Sequence, residues 1–190
     1  MLRGYKTTFL LFVVMVFLSL SANAESFVFR NGISFGMNED SIIKIEETNN
    51  QISADEWYRG NISAGYILQS GVKVKVSSYD ATIFYFFSDG KMEAAWYDLY
   101  VADDETKKYE TIFNAISSVY GEGEPIEAGK IVRLMDFFAP GILNASDVKE
   151  SRVWQRENVV IYQFYYDTNS FIVIYSDPSY KYENVDITGI

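Results

Sequence analysis

Carboxylates are the one plentiful set of chemically capable side chains in this sequence. Asp and Glu number 26 against 16 Lys and Arg, and there is no His and no Cys. Two carboxyl groups are enough for glycoside hydrolysis if a fold holds them at a set separation. Glu93 and Asp98 are the candidates on predicted strands. Both also fit solvent-facing or strand-end positions, as surface carboxylates do in an acidic chain. Calcium needs several oxygens on one tight loop. Asp103-Asp104-Glu105 and Gly121-Glu122-Gly123-Glu124 are the densest acidic runs. Neither has the ligand spacing of an EF-hand loop, and the first is explained by helix capping. Gly121-Glu122-Gly123 is no phosphate loop, because its charges are negative and no Lys-Ser/Thr pair follows.

The missing residue types exclude more. Without Cys there is no disulfide, thiolate nucleophile or zinc–thiolate site. Without His there is no Ser-His-Asp triad and no imidazole ligand or proton shuttle. The sequence therefore assigns no catalytic residues, no metal and no cofactor. The expectation is a protein that is not an enzyme.

Arg3 and Lys6, the apolar run Phe9 to Leu18 and the small-x-small site Ala22-Asn23-Ala24 form the pattern of a signal peptide over residues 1–24. Ten apolar residues reach about 15 Å as a helix, half of what a hydrocarbon core of about 30 Å requires. The expected location is secreted or cell-envelope associated, after cleavage near Ala24. No later segment is long and apolar enough to span a bilayer as a helix. The leader holds two basic residues and no acidic one, so the chain from Glu25 carries a net charge of −12 rather than −10. Nucleic acid is excluded as a partner, because phosphate contacts need basic charge. Asn61-Ile62-Ser63 and Asn144-Ala145-Ser146 match the N-glycosylation acceptor pattern.

The elements that must position these groups fall in two similar halves, 25–102 and 103–190. Asn38 is the expected N-cap of a first helix, with Glu39 and Asp40 at its positive end and Met37 and Ile42 as a hydrophobic staple. Asn49-Asn50 is expected to break it. A short strand at Phe27 to Phe29 turns at Arg30-Asn31-Gly32-Ile33. Val72, Val74 and Val76 alternate with polar residues, the period of a half-buried strand. Ala81 to Phe87 and Met92 to Tyr100 flank Asp89-Gly90, the strongest short hairpin signal.

A two-residue turn at Asp89-Gly90 sets a register. Phe87 then faces Met92, Tyr85 faces Ala94, and Ile83 faces Trp96, all on one core face. Phe84, Phe86 and Tyr97 share the other face. They are the candidate binding residues, because Phe and Tyr are enriched at protein interfaces. Trp57-Tyr58 and Trp154 are further aromatic candidates.

In the second half, Tyr109, Ile112, Phe113, Ile116, Val119 and Tyr120 make one apolar helical stripe, capped at Asp103 or Asp104 and closed by Gly121. Lys130 to Phe138 reads as a short helix or a strand. Val153 to Gln155, Val159 to Tyr166 and Phe171 to Tyr175 are strands, with a turn at Asp167 to Asn169 that leaves register open. Ala81–Asp89 and Val159–Asp167 can be laid over each other, 78 residues apart, as an internal repeat. The expected fold is α+β: two tandem helix-plus-antiparallel-sheet units packed as one domain.

The stretch FRNGISFGMNEDSI, the hairpin YFFSDGKM and the helix end Tyr120-Gly121 resemble exported bacterial proteins of the β-lactamase-inhibitor-protein-like fold. The Gly36-Met37 helix start is similar to small outer-membrane-assembly lipoproteins of related topology. The resemblance spans about Phe29 to Tyr175. It implies tandem units whose curved sheet grips a partner protein. No acylatable Cys is present, which departs from the lipoprotein pattern. The expected function is an exported interaction module that binds another extracytoplasmic protein through a sheet face. The alternative is an extracytoplasmic small-ligand or glycan binder, including a carboxylate-based hydrolase.

Overall fold

Two adjacent residues of positive φ, Asp89 at 50° and Gly90 at 73°, close the central hairpin as expected. The computed structural model describes residues 26–62, 64–76, 79–100, 106–138, 144–166 and 170–182. The proposed leader, Asp103-Asp104-Glu105 and the turn Asp167 to Asn169 lie outside the described residues.

The chain begins with a hairpin of β1 (Val28–Arg30) and β2 (Ile33–Ser34), followed by α1 (Glu39–Asn50). Asn38 caps α1 by accepting from the Ser41 amide at 2.9 Å. The helix runs through Asn49 and Asn50 rather than stopping before them. Asn50 donates to Glu46 one turn back at 2.6 Å, and the chain turns only at Gln51, φ 59°. Five strands follow: β3 (Trp57–Ile62), β4 (Gly65–Ser70), β5 (Val74–Val76), β6 (Tyr79–Ser88) and β7 (Lys91–Tyr100). Then come α2 (Thr106–Tyr120), the two-residue β8 (Glu124–Pro125), α3 (Ala128–Phe138), β9 (Val148–Gln155), β10 (Val160–Tyr166) and β11 (Ser170–Ser176). The fold is α+β, with one large antiparallel sheet ordered β3-β4-β6-β7-β11-β10-β9-β8 and β5 beside β6.

The segment that reads as helix or strand is helix α3. Leu134, Met135, Phe137 and Phe138 are buried along its inner side.

The hairpin register differs from the expected one. Phe87 pairs with Met92, but Phe86 pairs with Ala94 and Phe84 with Trp96. Glu93 is thus an extra residue, a β-bulge that flips the alternation of everything after it in β7. Ile83, Tyr85, Phe87, Tyr97 and Leu99 face one layer, whereas Phe84, Phe86, Ala94 and Trp96 face the other. The bulge carries bonds that a regular ladder could not. Glu93 C=O accepts from the Asp177 amide at 2.8 Å, and Met92 exchanges 2.8 Å bonds with Gly36 and Met37.

Both faces of the sheet are covered over its central strands. On the first, α1, α2 and the β1–β2 hairpin close over a core that includes Ile42, Tyr85, Leu99, Trp154 and Phe171. On the second, α3 and the segment after β11 cover Phe86, Trp96, Phe164 and Ile174. A layer on each face explains why β10 and β11 read as nearly continuous apolar runs.

Candidate functional site

Phe84, Phe86 and Tyr97 do not form one surface. The bulge at Glu93 turns Tyr97 to the opposite side of the sheet, where its ring stacks on Phe29 at 4.9 Å. Phe86 is fully buried, edge-on to Phe137 of α3 at 4.9 Å. Phe84 is half-buried and stacks flat on Trp96 at 4.9 Å. Trp154 is core as well; its indole N–H donates to the Gly121 carbonyl at 2.7 Å. Trp57 is buried against Tyr85.

The carboxylate candidates are not a catalytic pair either. Glu93 and Asp98 stand five residues apart on β7, about 16 Å along an extended strand. Glycosidase pairs need about 5–9.5 Å. Burial is the first cause that raises the pKa of each. At Glu93 the nearby Asp177 adds to it, and at Asp98 the Lys73 charge opposes it. Among the described residues no group of three acidic side chains could hold a metal ion. That includes the run at Glu122 and Glu124.

Among the described residues the sheet is open along the whole of its β3 end. A sheet has two edges, and here they differ. At one, β8 covers β9 through Glu124 opposite Val153 and Pro125 opposite Arg152. Proline has no N–H to offer a further strand, so it blunts that edge. At the other, β3 pairs with β4 over six residues without a bulge. No described strand lies on its outer side. Tyr58, Arg59, Gly60 and Asn61 are four consecutive exposed residues.

Side chains anchor this strand to the rest of the fold. Trp57 anchors its start in the core. Arg59 reaches back to Glu39 of α1 and lies over the Tyr66 ring, its guanidinium 4.3 Å from the centroid. Partial burial, with the hydrogen bond and charge of Glu39, pushes the Tyr66 phenol up to about 12. Tyr58, 63% exposed, packs over Gly71, where a Cβ would come within 2.6 Å of the ring. On the same end of the second face, Ile62, Ile67 and Phe84 stay half-buried at the margin of the α3 core.

Sequence reasoning missed this edge. A strand with solvent on both sides has no alternation to detect, and only the run Trp57-Tyr58 hinted at it. No family model, no curated protein and no solved structure matches the chain.

Proposed function

We propose that this chain is an exported, non-enzymatic interaction module that binds another protein by strand addition to β3. One observation carries the reading: β3 forms a sheet edge of six unbulged residues, four of them exposed in a row, whereas the opposite edge carries the two-residue, proline-ended β8 over part of β9. An extended partner segment would complete the open backbone hydrogen bonds, which supply affinity. Tyr58, Ile62, Ile67 and Phe84 beside the edge would supply specificity. The leader pattern over residues 1–24 supports export.

The strand order supports tandem units of the β-lactamase-inhibitor-protein-like kind. All strands of the large sheet before residue 102 lie on one side of a β7–β11 seam and all later ones on the other. Ile83 and Ile161, aligned by the internal repeat, fall in one core, and Phe86 and Phe164 in the other.

The test is site-specific photocrosslinking in the source cell. A photoreactive residue at Tyr58 or Asn61 gives a discrete protein adduct, while one at Lys44, exposed on α1, does not. No adduct at the edge, or the same adduct at Lys44, would end the reading.

A further inference from the structure

Opposite the open edge, past α3, lies a cleft of about 670 Å³. Pockets of this size hold drug-sized ligands. Its walls come from three separate elements. Lys130 and Arg133 stand on the first turns of α3, Arg156 on the turn between β9 and β10, and Lys181 on the segment after β11. Four of the chain's 16 basic residues thus surround one opening on a protein of net charge −10.

In so acidic a chain a cation would ordinarily meet a carboxylate. Among the described residues none of these four is ion-paired. Arg156 spends one N–H on the Gln155 carbonyl at 2.7 Å, and the Lys130 ammonium sits 5.7 Å from the Tyr162 ring centroid. Two carboxylates also line the cleft, Glu127 and Asp177. Asp177 is occupied, since one of its oxygens accepts from both the amide and the hydroxyl of Ser179 at 2.7 Å. The balance is positive by two charges where the rest of the molecule is negative. The positive end of α3 adds to it, because Gly129 and Lys130 of its first turn are part of the wall.

The placement of the cations argues against a single small anion. One phosphate is gripped by donors that converge on it. Here the charges come from three elements, a pair on α3 and one each from the β9–β10 turn and the segment after β11, which suits a ligand with more than one anionic group. The rest of the lining mixes three tyrosines, Tyr162, Tyr180 and Tyr182, with aliphatic Leu134 and Val160. Tyr180 is half-exposed, with Gln155 at the rim. A tyrosine ring offers an apolar face beside a hydroxyl, which matches a sugar ring with its own hydroxyls. We propose that this cleft binds an acidic sugar, a saccharide carrying two or more carboxylate or phosphate groups. The site is separate from the β3 edge and does not depend on it.

Calorimetry on the full exported chain at low salt tests this with four probes: a galacturonate trimer, a hexose bisphosphate, a neutral galactose trimer and hexaglutamate. At least one of the two acidic sugars should bind, and which one identifies the anion. The neutral trimer should not bind, and hexaglutamate should bind at least tenfold more weakly. The double variant Lys130→Gln/Arg133→Gln should weaken the acidic sugar at least tenfold with unchanged Tm, since Arg133 is exposed and Lys130 half-exposed. Lys181→Gln, on the opposite wall, should weaken it independently. Raising salt should weaken all binding. The proposal is overturned if neither acidic sugar binds, if the variants leave its affinity unchanged, or if the neutral trimer or hexaglutamate binds equally well.

Discussion

Gly90 holds φ at 73° at a point where an added Cβ would meet nothing within 4 Å. A side chain there costs backbone strain alone. For a β-branched residue in the left-handed region that is about 1–2 kcal/mol. Gly90→Val is expected to lower the unfolding free energy by that amount, read as a lower urea midpoint at an unchanged denaturant slope; a neutral result would mean that the turn relaxes freely. Asp98, at the far end of the same hairpin, poses an electrostatic question. It accepts no hydrogen bond among the described residues, and its desolvation outweighs the attraction of Lys73, so its pKa is raised. A carboxyl raised in the folded state contributes stability below its unfolded pKa and loses it as pH rises through the folded value. At neutral pH it is therefore a burden. Asp98→Asn should raise Tm at pH 7, and the gain should vanish in acid. A gain that persists below the usual carboxylate range would assign the effect to packing instead.

At the scale of elements, the β1–β2 hairpin is tied down by charge as well as by rings. Glu46 of α1 is fully buried; it pairs with Arg30 of β1 at 3.3 Å and accepts from the Tyr85 hydroxyl of β6 and the Asn50 amide. Three elements thus meet at one carboxylate. Phe29 packs beside it on Tyr97 and Tyr85. Removing one partner of a buried pair strands the other charge at a cost of about 3–5 kcal/mol. Arg30→Met should show that loss in equilibrium denaturation. Arg30→Met/Glu46→Gln should recover most of it, because no buried charge then remains. If the double variant is as unstable as the single, the pair is not the source. This clamp was not legible in the sequence, since nothing marks Arg30 and Glu46, 16 residues apart, as partners. The helices were more legible. Asn38 announced α1, and the stripe from Ile112 to Tyr120 announced α2. Yet Val119 is 72% exposed, because the stripe is wider than the surface the sheet offers it. The hairpin turn was legible and its faces were not. A turn signal fixes register only until a bulge intervenes, and Glu93 carries no local mark that distinguishes it from any strand glutamate. The same limit hid the candidate site. Phe84, Phe86 and Tyr97 owed their shared face to an unbroken ladder, whereas the open edge depends on which strand ends up outermost.

The whole molecule is a sheet with a layer on each face, and its tyrosines are drawn into both. Burial, as the first cause in each, raises the phenols of Tyr85, Tyr166, Tyr175 and Tyr182, and Tyr66 reaches about 12. Glu46 adds to the shift at Tyr85, and Asp98 at Tyr166. The sign follows from linkage. An unfolded phenol ionises near pH 10, and these hold their protons above it in the folded state. Their contribution is complete below about pH 10 and is lost as pH rises through the folded values. The chain has no His and no Cys to titrate near neutrality, which leaves the raised carboxyls of Glu93 and Asp98 as the groups that act below that point. Stability should therefore be nearly flat from about pH 6 to 9 and then fall steeply. The measurement is urea denaturation across pH, with tyrosinate absorbance followed in parallel. In the native protein the absorbance of the buried rings should lag behind that of the exposed ones and appear together with unfolding. A single smooth titration near pH 10 with the fold intact would mean that these rings reach solvent, and that the two layers do not close over the sheet as described.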